Sequence, residues 1–361
     1  MTLPRPHLRT VAPRVLVTGG CGFLGCNLVA TLAARGDNVL VLDNLARPGA
    51  GENAQWLKDR HGDRVAIEVA DARDEDAVTA AVSQASAVLH LAAQVAVTTS
   101  LEQPREDFQI NANGTLNILE AVRLHSPRAP VVFASTNKVY DKVLDEDAVI
   151  VAGERYVPRA ERFAGGVGEE TPLDLYSPYG CSKGAADQYV RDYARVFGLR
   201  TVVLRMSCIY GPRQFGNEDQ GWIAHFFLQA IRGNPITIYG DGYQVRDALY
   251  VDDAVAAWLG ALDRISQVSG RIFNLGGGPA NTISLRELLK AIAELRGGVP
   301  AITYADWRPG DQPWYVSDTR AIAEAIEWSP RTSLREGLRA LDRWLVGRFA
   351  TAAPALREAS A

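Results

Sequence analysis

Six apolar runs mark the first part of the chain: RVLVTGG from Arg14, then NVLVLDN, VAIEVAD, AVLHLAA, PVVFAST and TVVLRMS, the last ending at Ser207. Their apolar residues are nearly continuous instead of alternating, the pattern of strands buried on both faces. Between them lie segments with helical spacing, including FLGCNLVATLAARG with its closing Gly36, Asn113 to Leu124, and Ser182 to Phe197. Strand and helix alternating in this way predict an α/β fold, a doubly wound parallel sheet with helices on both faces. Beyond Met206 the pattern loosens into GPRQFGNEDQG, YGDGYQVRD and WRPGDQPWY, interleaved with short helices such as Trp222 to Arg232 and Ser284 to Leu295. That change predicts a smaller C-terminal α/β lobe against the carboxyl edge of the sheet. The expected division is an N-terminal arm (1–13), a sheet domain (14–205) rejoined by 246–278, a second lobe (206–245 and 279–348), and a loose Ala-rich tail (349–361).

Composition narrows the function classes. Apolar residues make up 47% and charged residues 22% of the 361, with a formal net charge of −4, which excludes a disordered chain and gives no basic excess for nucleic acid. The four cysteines, Cys21, Cys26, Cys181 and Cys208, form no CxxC pair and have no companion histidine spacing, so neither a metal site nor a disulfide framework is expected. A reducing, cytoplasmic compartment fits them. No apolar run approaches the roughly 18 residues of a membrane span, and the opening MTLPRPHLRTVAPR has no apolar core of a signal peptide.

The first motif with chemistry is TGGCGFLG, between the first strand and the first helix. A diphosphate needs backbone N–H groups close to it at a helix N-terminus, and Gly19, Gly22 and Gly25 remove the side chains that would block that approach. Phe23 and Leu24 open the helix beside them. Asp43 closes the next strand, 18 residues after Gly25, where a carboxylate accepts from a ribose 2′-hydroxyl and repels a 2′-phosphate. The arrangement predicts a Rossmann-type site for NAD rather than NADP, although Arg47, close to Asn44, pulls the other way. Asp71, followed by Ala72, serves either as an adenine contact or as an ordinary helix cap. Leu91, Ala92, Ala93 and Gln94 follow the fourth strand, and Ser135-Thr136 end the fifth, both at the sheet edge where ligands bind. The two alanines let a dinucleotide lie flat or simply pack tightly. Asn113 completes the expected cofactor contacts, and His90 reads as a core histidine.

SPYGCSKGAADQYV sets Tyr179 and Lys183 four residues apart, one turn along a helix face. A nearby ammonium favours the phenolate, so Lys183 is expected to lower the Tyr179 pKa and to hold a nicotinamide ribose. Tyr179 then accepts an alcohol proton, with Thr136 hydrogen-bonding the same oxygen as its charge develops.

The set TGGCGFLG, Asp43, HLAA, Ser135-Thr136 and YGCSK resembles the extended short-chain dehydrogenase/reductases that modify nucleotide sugars, over about Val15 to Trp344. Within them, STNKVY, SPYGCSKGAADQY, YGPRQFGNEDQGW and QVRD are most similar to the family of CDP-paratose 2-epimerases, also called CDP-tyvelose epimerases. The resemblance implies a tightly held NAD, oxidised at rest, and a nucleotide-diphosphate sugar, a CDP-sugar favoured, bound by the second lobe. Carried over by position, Thr136, Tyr179 and Lys183 form the catalytic trio. Asn137, Cys208, Arg213, Gln220, Arg246, Arg308 and Asp311 fall in segments that face the substrate, with the arginines suited to a diphosphate. The implied reaction is redox-neutral epimerisation at C2 through a ketosugar. The site residues alone leave C4, or another nucleotide sugar, open. A dehydratase or decarboxylase is the alternative enzyme, but such relatives place an acid just after the catalytic Thr or Ser, where this chain has Asn137 and Lys138. A non-catalytic NAD-binding sensor is the third reading, opposed by the retention of the whole trio. The chain departs from the family pattern at Asp141, commonly glycine, and at Cys208, often asparagine. Segment 141–171 reads either as an active-site lid or as a surface loop. A homodimer is implied, paired through two helices per subunit, with Tyr189, Tyr193 and Phe197 as the exposed apolar positions.

Overall fold

The computed structural model describes residues 14–140 and 143–358; the expected N-terminal arm and Asp141 lie outside them. The chain opens with five strands, β1 (Arg14–Thr18), β2 (Val39–Asp43), β3 (Val65–Val69), β4 (Ala85–His90) and β5 (Val131–Thr136). A hairpin follows, β6 (Val149–Ala152) and β7 (Arg155–Pro158), then β8 (Thr201–Met206), β9 (Cys208–Tyr210), β10 (Ile236–Tyr239) and β11 (Val245–Tyr250). The last strands are β12 (Arg271–Leu275), β13 (Thr282–Ser284), β14 (Ile302–Ala305) and β15 (Trp314–Tyr315). One seven-stranded sheet has the order β12-β8-β5-β4-β1-β2-β3, with every pairing parallel. The chain reverses its direction of travel at β1, between β4 and β2, and this opens a crevice at the carboxyl ends.

Both faces of this sheet are covered, which explains the continuous apolar runs. Val15 and Val17 of β1 and Val39 and Val41 of β2 enter one core with α1 (Phe23–Arg35) and α2 (Ala50–His61). Leu16, Leu40 and Leu42 between them enter a second core, with α3 (Glu75–Val82). The short α4 (Val97–Glu102) and α5 (Pro104–Phe108) lead into α6 (Gly114–His125), and the second core also takes in α6 and α7 (Ser177–Phe197). Removing either layer would expose half of every strand.

The second lobe contains α8 (Trp222–Arg232), followed after β11 by α9 (Val251–Asp263) and α10 (Ile265–Val268), which return to the main sheet. Then come α11 (Leu285–Arg296), α12 (Arg320–Ile326) and α13 (Leu334–Glu358). Helical backbone thus runs on through most of the stretch expected as a loose tail. Two further differences from the expected division emerge. β11 pairs with β9, β13 and β15 in a small sheet, so the return to the main sheet begins at α9 rather than at residue 246. Ile322 and Ile326 of α12 join the first core, placing part of 279–348 against the main sheet.

Segment 143–171 packs against the second lobe. Its hairpin is fastened to the second lobe by Tyr156 N–H to the Tyr243 carbonyl at 2.9 Å and by Arg155, whose guanidinium donates to both Glu287 oxygens at 2.7 and 2.6 Å. Val139, Tyr140, Leu144, Val149 and Val167 form a buried cluster with Val245, Trp314, Tyr315 and Val316. The segment is a strap that binds the two parts of the chain together, and it lines neither of the cavities described next.

Candidate active site

The glycine turn is shaped by backbone contact. Gly19 has φ +68°, in the left-handed region, and a Cβ there would sit 2.7 Å from the Ala92 nitrogen. A Cβ on Gly25 would lie 2.2 Å from the Gly19 carbonyl oxygen, so the first turn of α1 can close against the loop only without a side chain. Gly22 caps α1 with no side-chain acceptor, and no acidic residue stands in its first turn, leaving the positive helix end open to an anion. Asp43 holds this loop from the side: its carboxylate accepts from Cys21 N at 2.9 Å and Leu45 N at 2.8 Å. Burial raises its pKa, and the N–H groups of Leu45, Cys21 and Gly22 work against the rise.

A cavity of about 450 Å³ runs from this turn along the sheet edge. Gly19, Gly22, Phe23, Leu24, Gly25, Asp43, Asn44, Arg47, Asp71, Ala72, Leu91, Ala92, Ala93, Gln94, Tyr179 and Lys183 all line it. Of the sixteen residues at its walls expected from sequence, Asp71 is already engaged: Arg73 donates twice at 2.9 Å and Asn44 Nδ2 at 2.8 Å, which together hold its carboxyl down at about 2. Asn113 is not at the wall. Residues 109–113 form one wide π turn, and that turn carries Asn111 inward instead. Asn111 Nδ2 donates to the Gln94 carbonyl at 3.0 Å and Ser182 Oγ at 3.0 Å, and its Oδ1 accepts from Gln94 N at 2.9 Å. Asn53 Oδ1 and Gln214 Oε1 are buried at the same cavity without a hydrogen-bond partner. A glycine cradle, an open helix end, a strand-end carboxylate and two unmet acceptors together fit a dinucleotide.

A second cavity, about 400 Å³, lies between the sheet edge and the second lobe. Thr136, Asn137, Cys208, Gln220, Arg246, Arg308 and Asp311 line it, as do Lys138, Trp222, Tyr239 and Gln244, which the sequence reading did not assign to the substrate. Arg246 pairs with Asp311 at 2.5 Å. Arg308 lies 3.7 Å over the Tyr239 ring and donates to the Glu218 carbonyl at 2.8 Å. The thiol of Cys208, its pKa raised by burial, receives the Trp222 indole N–H at 3.4 Å. Arg213 belongs elsewhere. With φ +71° it turns away from this cavity, lines the first one, and lays its guanidinium 4.0 Å over the Trp56 ring.

Tyr179 stands at the wall between the two cavities and lines both; Lys183 lines only the first and Thr136 only the second. The helix that presents Tyr179 and Lys183 starts under strain, since Ser177 has φ +67°. The electrostatics differ from the expected pair. Burial pushes the Tyr179 phenol up to about 12; the Thr136 hydroxyl bonded to it and the Arg47 charge lower it, while Asp107 raises it further. Burial likewise drops Lys183 to about 7, against the pull of Asp187 and Asp107, and its ammonium sits 4.3 Å over the Phe133 ring. The expected lowering of the phenol by Lys183 does not emerge: burial raises the Tyr179 pKa and lowers that of Lys183, and desolvation dominates both. His90 is the core histidine expected: it bridges Thr18 at 2.7 Å and Thr115 at 3.0 Å and is held neutral, down at about 3.

A Rossmann dinucleotide site joined through a tyrosine to a second polar cavity defines a class of NAD-using oxidoreductive enzymes. The chain belongs to the NAD dependent epimerase/dehydratase family, whose model matches residues 15–276. It is 41% identical over 344 residues to the CDP-paratose 2-epimerase of Salmonella typhi, covering 92% of this chain and 98% of that one. It is 30% identical over 352 residues to a dTDP-glucose 4,6-dehydratase of Neisseria meningitidis, covering 92% of each. Among solved structures it is similar to the Thermus thermophilus UDP-glucose 4-epimerase complex with NAD, at a TM-score of 0.78 and 35% identity, covering 92% of this chain and 99% of that one. NAD is its cofactor, and no helix among the described residues is long and apolar enough to cross a membrane.

Proposed function

We propose that this protein is an NAD-dependent epimerase of nucleotide-diphosphate sugars, interconverting CDP-paratose and CDP-tyvelose at C2. The observation that carries the reading is the position of Tyr179 in the wall shared by both cavities, with Lys183 on the cofactor side and Thr136 on the substrate side. The 41% identity to a CDP-paratose 2-epimerase over nearly the whole chain supports the choice of sugar.

The residues that would hold the cofactor are Gly19, Gly22 and Gly25 at its diphosphate, Asp43 at a ribose, and Lys183 toward the nicotinamide end. NAD, when bound, supplies hydride chemistry: an acceptor for the hydride of the hydroxyl-bearing carbon and its source for return to the opposite face. Tyr179 takes the proton of that hydroxyl and gives it back after the face has changed, so no net oxidation accumulates. Thr136 donates to the reacting oxygen as negative charge gathers on it. Burial holds the Tyr179 phenol above the usual tyrosine range, and positive charge beside it favours the proton-accepting form. Ultraviolet difference titration, read against Tyr179→Phe, is expected to show its midpoint above that of an ordinary tyrosine without cofactor and lower with oxidised NAD bound. An unchanged midpoint would remove that part of the mechanism. Arg246 and Arg308 anchor the diphosphate while the sugar turns over. The carboxylates of this cavity, Glu218, Asp219 and Asp311, come from the second lobe and none follows Thr136, which favours epimerisation over elimination.

Purified protein incubated with either CDP-sugar and no added NAD is expected to interconvert them, followed as C2 configuration by proton NMR. Silence with both, while bound NAD is demonstrated, would send the search to other nucleotide sugars or to C4.

The same reading includes a homodimer and, from four free cysteines, a cytoplasmic location. Leu124, Tyr189, Val196 and Phe197 are exposed along α6 and α7 and form the proposed contact. Tyr193 is not part of it: the ring is buried in the second core, and its hydroxyl donates to Glu120 at 2.6 Å. Gel filtration is expected to show a dimer and, for Leu124→Glu/Phe197→Glu, a monomer. A wild-type monomer would overturn the dimer.

A further inference from the structure

Behind the two cavities, helix α7 and strand β5 are joined by a buried polar chain. Ser135, the residue before Thr136, donates its hydroxyl to Asp187 Oδ2 at 2.8 Å. Asp187 follows Lys183 by four residues, so Tyr179, Lys183 and Asp187 stand on successive turns of one helix face. Its carboxylate, fully buried, also receives Arg205 of β8 twice, at 2.8 and 3.0 Å. The remaining Arg205 nitrogen donates to the Tyr140 hydroxyl at 2.9 Å, and that hydroxyl donates to Asn274 Oδ1 of β12 at 2.8 Å. Asp187, Arg205, Tyr140 and Asn274 line neither cavity.

A buried ion pair is a poor source of stability, because desolvating two charges consumes most of the attraction between them. What it provides is geometry. A helix packed on a sheet by apolar contacts alone is free to shift along its axis or roll. Asp187 is bound to the strand bearing Thr136 through Ser135 and to the next strand through Arg205, so it opposes both motions on the sheet side, in addition to the Ser182 hydroxyl bonded to Asn111 and Asp107. We infer that Asp187, clamped by Arg205, is a positioning residue that sets Tyr179 and Lys183 in register with Thr136. It also keeps a negative charge behind the Lys183 ammonium. The other charged or titratable groups that reach Lys183 are Asp107 of α5 and His90 of β4, which is neutral. This inference rests on the catalytic trio proposed above.

Asp187→Leu/Arg205→Met removes both charges together, a replacement that keeps a buried core intact, whereas Asp187→Asn keeps shape and removes charge. Both variants are first checked for wild-type circular dichroism and cooperative melting. Two readouts then follow. Labelling of Lys183 by acetic anhydride as a function of pH, quantified by peptide mass spectrometry, reports the amine without any substrate. Its midpoint is expected to fall by about one pH unit or more when the carboxylate charge is gone. On whichever nucleotide sugar the wild type turns over, kcat is expected to fall about 10²-fold with KM nearly unchanged, the effect of a misplaced reacting group. Arg205→Lys, which keeps the charge but not the two-pronged clamp, is expected to retain the labelling midpoint and lose part of kcat. Folded variants whose midpoint and kcat both match wild type would overturn the inference. Should no sugar be turned over, an unchanged midpoint overturns it alone, so its failure stays separate from that of the proposed reaction.

Discussion

Tyr179→Phe is expected to reduce turnover about 10³-fold or more, the scale of losing a positioned acid–base group, while bound NAD and the melting temperature stay close to wild type. The change removes one oxygen from a ring that is only 7% exposed and leaves its packing in place. The hydroxyl's partner is Thr136, which retains contacts of its own through the Lys138 N–H at 3.2 Å. Little is therefore left unsatisfied, and the effect falls on proton transfer. NMR turnover with absorbance of bound cofactor measures both sides at once. Turnover preserved in Tyr179→Phe would show that another group takes the proton and would sink the mechanism.

Gly25→Ala is expected to weaken binding at the dinucleotide site. The added carbon meets the Gly19 carbonyl at 2.2 Å and Gly20 Cα at 2.7 Å, both backbone atoms that cannot rotate aside. Either the turn moves away from β1 or α1 withdraws from it, and each choice displaces the N–H groups that face the diphosphate. An overpacking cost of about 1–3 kcal/mol corresponds to roughly 5- to 150-fold in cofactor affinity if it falls wholly on binding. Isothermal titration of cofactor-stripped protein with NAD checks this, and undiminished affinity would mean that the turn accommodates a methyl group.

Much of this site is legible in the sequence because it depends on neighbours in the chain. Glycines at a strand–helix turn, a carboxylate at the next strand end and a Tyr-Lys pair one turn apart are local patterns, and the sheet brings them to one edge. What escapes is what depends on distant contacts. Arg213 lies within a motif that suggested the substrate, yet it has a positive φ, unreadable in an arginine, and stacks on Trp56. A π turn at 109–113 shifts the inward asparagine from Asn113 to Asn111, and nothing in QINANG announces the wider turn. Spacing places Lys183 beside Tyr179, but only the packed structure shows how far desolvation moves each of them. The strap at 143–171 was ambiguous for the same reason, since its anchors at Glu287, Val316 and Asn274 lie more than 100 residues onward.

Leu24, Val95, Ser135, Tyr179, Met206, Gln214 and Gln220 border both cavities, while the remaining walls come from largely separate stretches of the chain. The first cavity draws mostly on residues before 136, and the second mostly on residues after 206. Most substitutions in the later half would therefore reshape the second cavity while leaving the glycine turn and Asp43 untouched, the exceptions being wall residues such as Met206, Arg213, Gln214 and Gln220. Diversification of substrate and preservation of chemistry thus fall to different regions of one coding sequence, with Tyr179 as the hinge between inheritance and novelty.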